Sequence, residues 1–135
     1  MATKVLDSWA LIAFFQGEAS APEVKKLLLQ GETGHHRLLL CVVNWGEVYY
    51  NTVRKVSQET AEVIATEIAG MAIELVPVES DLHLVRQAAL YKATGKLAYA
   101  DAFAAALAKL RNAELITGDP DFKQVETEIK IGWLT

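Results

Sequence analysis

The sequence predicts an α/β fold: a single domain over residues 1–135, with a mostly parallel central sheet of four to five strands and helices on both faces. Three observations lead to it. Short, continuous apolar runs of strand length recur along the chain, as expected of strands buried on both faces. Longer stretches with apolar residues at helical spacing separate them, so strand and helix alternate as in βαβ units. The whole occupies 135 residues without an internal repeat, low-complexity segment or linker, a length suited to one hydrophobic core.

Lys4 to Leu6 is the first predicted strand, ending at Asp7. Ser8 to Gln16 reads as a helix with Trp9, Ile12 and Ala13 along one side, and Ala21-Pro22 opens a second, since proline fits a first helical turn. GETGHHR is a loop, and LLLCVV (38–43) the second strand. Asn44 opens the next helix, because Asn44-Trp45-Gly46-Glu47 has the spacing of a capping box; this helix continues through Val48, Tyr49, Val53 and Val56. Ser57-x-x-Thr60 begins another, running to about Met71, and Ile73 to Val76 is the third strand, closed by Pro77. Ser80 to Thr94 is helical until Gly95 breaks it, and an Ala-rich helix carrying the stretch Leu97 to Leu110 follows, to about Asn112. Glu114 to Thr117 is the fourth strand, GDPDF a turn with a short helix, and Glu128 to Ile131 a short edge strand.

Composition excludes several classes. Hydrophobic residues at 52% and charged residues at 22% describe an ordinary globular protein. No apolar run approaches the ~18 residues of a membrane span, and Asp7 interrupts the signal-like start, so a cytoplasmic protein without membrane contact is expected. A lone Cys41 offers neither an internal disulfide nor a thiolate metal cluster. The net charge of −4 argues against gripping nucleic acid through overall electrostatics, while leaving room for local basic patches or a metal-mediated contact.

The distribution of acids says more than their sum. Glu outnumbers Asp twelve to five, and four of the five Asp (7, 101, 119 and 121) stand in apolar or turn contexts rather than on polar helix faces. In an open parallel sheet the site lies outside the carboxyl ends of the strands. Asp7 follows the first strand, Glu47 sits early in the helix after the second, and Asp119 and Asp121 follow the fourth. Asp101 joins them if the Ala-rich crossover helix starts over the sheet's carboxyl end. Each acid alone also fits a bland role: Asp7 and Asp121 as helix caps, Glu47 as the capping partner of Asn44, Asp119 as a turn residue and Asp101 as a first-turn acid. Together they would crowd at strand ends about 4.8 Å apart, and like charges so close cost stability unless a cation lies between them. An all-oxygen set suits a hard divalent ion, Mg²⁺ or Mn²⁺, better than zinc.

Four segments, VLDSWALIAFF, VVNWGEVYY, LAYADAFAAALA and LITGDPDF, resemble in order the motifs of the PIN-domain family, particularly its VapC-type toxins. The likeness implies a magnesium- or manganese-dependent endoribonuclease, with the family's acidic quartet on Asp7, Glu47, Asp101 and Asp119, and Asp7, Asp101 and Asp119 as metal ligands. It assigns supporting roles to Ser8, Asn44, Thr117 and Asp121. It also implies an RNA substrate, a cognate antitoxin and a homodimer, for which helices around Trp9, Trp45 and Tyr49 supply apolar surface. Ala98 stands where many relatives have Ser, at a position that reads as a cap. Arg54, Lys55, Lys92 and Lys96 are the candidate RNA contacts, each also readable as solvated surface; His35 and His36, in a polar loop, are not expected to be ligands. A dehalogenase-type phosphatase would need Asp where Trp9 stands, and a receiver domain a phosphoacceptor where Pro77 and Val78 stand. The alternative is a binding module whose acidic pocket receives a basic side chain of a partner protein.

Overall fold

The computed structural model describes residues 2–135. Five strands form one sheet: β1 (Ala2–Leu6), β2 (His36–Cys41), β3 (Ile73–Val76), β4 (Glu114–Thr117) and β5 (Ile131–Trp133). Their order is β3-β2-β1-β4-β5, and every neighbouring pair is parallel. Six α-helices connect them: α1 (Ser8–Phe15), α2 (Ala21–Glu32), α3 (Val42–Lys55), α4 (Gln58–Ala69), α5 (His83–Thr94) and α6 (Tyr99–Leu110); a short 3-10 helix spans Pro120–Val125.

Side chains alternate along the strands into two cores, as a pleated strand requires. Val5, Leu39, Cys41 and Leu115 pack on one face with α5, α6, Phe122 and Val125. Leu6, Leu38, Leu40 and Ile116 pack on the other with Leu11, Val24, Val48 and Ile68 from α1 to α4. Both faces are thus covered, which explains why Val5-Leu6, Leu38 to Cys41 and Leu115-Ile116 are consecutive apolar residues.

The chain winds outward from β1 through β2 to β3, then returns to place β4 on the other side of β1. Adjacent β1 and β4 therefore send their following segments in different directions, which makes their carboxyl ends the switch point of the sheet, where a crevice opens. Leu6 is in register with Ile116, so Asp7 and Thr117 emerge side by side. Helix α6 crosses back antiparallel to the strands before β4, which brings its first turn over that same edge. Its Ala104, Ala105, Ala106 and Ala108 are essentially fully buried, and small side chains let it pack closely against both α5 and the sheet.

Several boundaries differ from expectation. Helix α3 begins at Val42, with Cys41 as its N-cap, so Asn44 lies inside the first turn and Glu47 in the second. There is no capping box there. The apolar pair Val42-Val43 favours extending the strand locally, but the chain turns into the helix directly. Helix α5 begins at His83 rather than Ser80, because Leu82 takes a left-handed conformation (φ 66°) and the Asp81 carboxylate accepts from the His83 N–H at 3.0 Å. Helix α6 starts at Tyr99 with Ala98 as a cap lacking a side-chain bond, so the position does have the cap role read for it. The edge strand is Ile131–Trp133, beyond the Glu128–Ile131 expected.

Ala105 is fully buried among the residues packed on α6. Ala105→Leu should lower the stability by about 1–3 kcal/mol through overpacking, read as a lowered urea midpoint at unchanged m-value.

Candidate active site

Asp7 is the most constrained acid. It is 1% exposed, and both carboxylate oxygens are engaged. Oδ1 accepts from the Ala10 N–H at 2.9 Å, which caps α1, while Oδ2 accepts from the Thr117 hydroxyl at 2.5 Å. Fully buried Thr117 accepts in turn from the Asp119 N–H at 3.0 Å. One hydroxyl thus ties the end of β1 to the loop after β4. Asp119 closes the next link, since its Oδ1 accepts from the Asp121 N–H at 2.9 Å and caps the 3-10 helix. That corrects one cap: Asp119, not Asp121, starts this short helix, and Asp121 lies within its first turn.

Glu47 reaches the group from α3. Its Oε1 accepts from the Ser8 hydroxyl at 2.6 Å and from Asn44 Nδ2 at 3.4 Å; the Tyr50 hydroxyl lies 3.5 Å from Oε2. Buried Asn44 also donates to the Ala100 carbonyl at 3.0 Å, linking α3 to the first turn of α6 just before Asp101. Asn44 Oδ1 is buried and has no protein partner among the described residues, a free acceptor beside Glu47.

Asp101, Asp119 and Asp121 form the tightest group: carboxylate oxygens from all three lie within 4.8 Å of one another. Asp7 and Glu47 stand outside that triad yet close enough to act on it. Burial pushes the Asp7 carboxyl up to about 8 against the pull of its Thr117 and Ala10 hydrogen bonds, with Asp101 and Asp119 adding repulsion. Burial likewise pushes Asp101 up to about 7, helped by Glu47, Asp119 and Asp121. The ion pairs among the described residues, Lys4–Glu114, Lys130–Glu114, Arg37–Glu74 and Lys109–Glu128, leave these acids without a cationic partner. An all-oxygen donor set that is costly to ionise without a cation is what a hard divalent ion fits.

The model of the PIN domain matches residues 4–128. The chain belongs to the PIN-domain family. No curated protein sequence matches it. Among solved structures the PIN fold here is similar to VapBC2 of Rickettsia felis bound to a fragment of promoter DNA, at 12% identity and TM-score 0.73, covering 98% of this chain and 99% of that one. It is similar to DNA-bound VapBC of Salmonella typhimurium, at 15% identity and TM-score 0.71 with 98% of each chain covered. VapC20 of Mycobacterium tuberculosis, described as a toxin cleaving the sarcin–ricin loop, matches at 16% identity and TM-score 0.71, covering 90% of this chain and 94% of that one.

On this PIN scaffold the four basic candidates fare differently. Lys92 is already used, its ammonium donating to the Leu97 carbonyl at 2.9 Å ahead of α6. Lys96 is exposed, with its backbone N–H bonded to Gln124. Arg54 and Lys55 end α3, and the Arg54 guanidinium lies 4.9 Å from the centroid of the Tyr50 ring, whose hydroxyl faces Glu47. Trp45 and Trp9 are partly buried against the α1–α4 core, and Tyr49 stacks on Trp45 and donates to Glu62. Sequence reasoning missed Tyr50, which is three residues after Glu47 and so on the same helix face. It also missed the Trp9–Gly118 contact. No helix among the described residues is long and apolar enough to cross a membrane.

Between the ordinary carboxyl value of 3.8 and a folded value of about 8, native Asp7 keeps a proton that the unfolded chain has released. Stability of the metal-free protein therefore falls as pH rises through that window. Thermal melts should show a Tm that drops from pH 5 to pH 8, is restored by added Mn²⁺ or Mg²⁺, and changes less with pH in Asp7→Asn, which should be the more stable by about 2 kcal/mol or more at pH 8.

Proposed function

We propose that this chain is a divalent-metal-dependent endoribonuclease, the toxin of a toxin–antitoxin pair. The observation that carries the reading is the Asp101–Asp119–Asp121 group, unpaired by any cation, at the switch point of a PIN sheet and flanked by Asp7 and Glu47. Likeness to VapBC complexes, and to a toxin named for cleaving the sarcin–ricin loop, supports it.

Asp7, Asp101 and Asp119, with Asp121 beside them, would hold Mg²⁺ or Mn²⁺. When bound, such an ion polarises a phosphoryl oxygen and lowers the pKa of a coordinated water. Glu47, with Oε1 held by Ser8 and Asn44 and Oε2 3.5 Å from the Tyr50 hydroxyl, lies near enough to Asp101 to raise its pKa and would accept the proton of the attacking water. The water oxygen forms the new bond to phosphorus as the P–O3′ bond breaks, and the departing oxygen takes a proton. The products are a 3′-hydroxyl and a 5′-phosphate end. Thr117 keeps Asp7 and the Asp119 loop in one geometry throughout, since its hydroxyl bonds to both.

The same acidic pocket would accept a basic side chain of an antitoxin, which is how the binding-module alternative and the toxin reading share one surface. Val53 on α3, Val56 at its C-cap and Val63 on α4 are exposed, and are better placed than Trp9 and Trp45 to meet an antitoxin or a second copy.

Incubation with total RNA should give Mg²⁺- or Mn²⁺-dependent cuts bearing 5′-phosphates, lost on chelation. Asp101→Asn and Asp119→Asn should each slow cleavage by at least about a hundredfold while remaining folded. Wild-type rates in either variant would sink the site assignment; no cleavage with stoichiometric binding of a basic peptide would favour the binding module. For substrate contact, Arg54→Ala should weaken RNA binding and make the salt dependence of log K shallower by about 0.7 per lost phosphate contact. Lys55→Ala and Lys96→Ala serve as comparisons.

A further inference from the structure

We infer that Trp9 is a positioning residue for Asp119, acting through Gly118; this rests on the nuclease reading above. The N-cap and first turn of α1 supply three consecutive residues that reach three different parts of the site. Asp7 takes the Thr117 hydroxyl, Ser8 donates to Glu47, and the outer edge of the Trp9 indole lies directly on Gly118. A Cβ at Gly118 would stand 2.3, 2.5 and 2.7 Å from the Cη2, Cζ3 and Cζ2 atoms of that ring, closer than real Cβ atoms approach. Gly118 does not have a left-handed φ, so clearance for the ring, not backbone freedom, is what calls for glycine.

Gly118 lies between the two residues that matter most to this loop. Thr117 is pinned by Asp7 through its hydroxyl and by the Leu134 N–H, which donates to its carbonyl at 2.8 Å. Asp119 donates its N–H to Thr117 and bonds the Asp121 N–H through its carboxylate. The indole presses on the one backbone unit of this stretch that carries no side chain to resist displacement. It is itself packed against the core cluster that contains Leu6, Leu11, Ile116 and Leu134. With Trp9 seated there, the loop has contacts from strand, helix and terminal segment, and the Asp119 carboxylate stays with Asp101 and Asp121. Trp9 touches neither metal nor substrate in this account; it acts through Gly118.

The test pairs Gly118→Ala with Trp9→Leu in the full chain and reads three quantities: amide hydrogen exchange at Asp119 without metal, Mn²⁺ affinity, and kcat and KM on RNA. Gly118→Ala should speed exchange at Asp119 and weaken Mn²⁺ binding, each by tenfold or more, and lower kcat with KM changed less than about twofold. Adding Trp9→Leu to Gly118→Ala should bring exchange and Mn²⁺ affinity back toward wild type even though Tm falls further, a rescue that simple loss of core volume cannot give. Should Gly118→Ala not fold, Trp9→Phe, which removes the outer ring carbons and keeps Gly118, is expected to speed Asp119 exchange by itself. Wild-type exchange and Mn²⁺ affinity in Gly118→Ala, or a double variant worse than either single in both, overturns the inference. A wild-type protein that binds no Mn²⁺ and cuts no RNA would instead overturn the nuclease reading, and exchange at Asp119 would still judge the Trp9–Gly118 contact.

Discussion

Five carboxylates are drawn to one edge of a parallel sheet, and the repulsion among them is the constraint on which the rest of this structure depends. Folding must supply enough burial elsewhere to hold them there. It does so with two cores, one on each face of the sheet, built from strands that are apolar on both sides. The crowding leaves a clear signature in Asp7 and Asp101, whose carboxyls burial and neighbouring acids push up to about 8 and about 7. A fold selected for stability alone would not put these groups together, because buried like charges without a counterion are among the costliest arrangements available.

The hydrogen bonds near the site manage that cost rather than remove it. Thr117 and the Ala10 N–H stabilise ionised Asp7, and Ser8 and Asn44 donate to Glu47 Oε1. These donors also join segments far apart in sequence: α1 to β4, α1 to α3, and α3 to α6 through the Asn44–Ala100 bond. A network that ties several loops through single side chains gives a rigid constellation, which the proposed binding of a small, geometrically demanding ion would require.

Much of this was legible in the sequence, for identifiable reasons. The alternation of apolar strands and periodic helices is a local signal, so the parallel α/β sheet and the order of its elements could be read from it. The acids Asp7, Asp101, Asp119 and Asp121 were conspicuous because Asp is rare here and stands in apolar or turn settings. What was illegible depends on distance in space. Asn44-x-x-Glu47 has capping-box spacing, yet Cys41 starts the helix and Asn44 turns instead to Ala100, a partner 56 residues away. Gly118 stands in a segment that reads as a turn, and the Trp9 ring against it comes from the other end of the chain. Tyr50 lacked any local mark, since its contacts with Glu47 and Arg54 exist only once α3 is formed and oriented.

Asp7 shows why a structural role and a site role for the same acid need not compete. An ionised carboxylate offers about four lone-pair positions. The Ala10 N–H and the Thr117 hydroxyl use one on each oxygen, which leaves capacity on both for a cation. Capping α1 orients the carboxylate, and the Thr117 bond sets its second oxygen beside the Asp119 loop, so the bonds that serve the fold also aim the remaining lone pairs. Asp119 follows the same logic, with Oδ1 bonded to the Asp121 N–H and Oδ2 left for the triad. The cap read for Asp7 from the sequence, the cap that Asp119 supplies and the site inferred from the acids are therefore one arrangement, in which an N-cap bond turns each of these two carboxylates toward the shared edge.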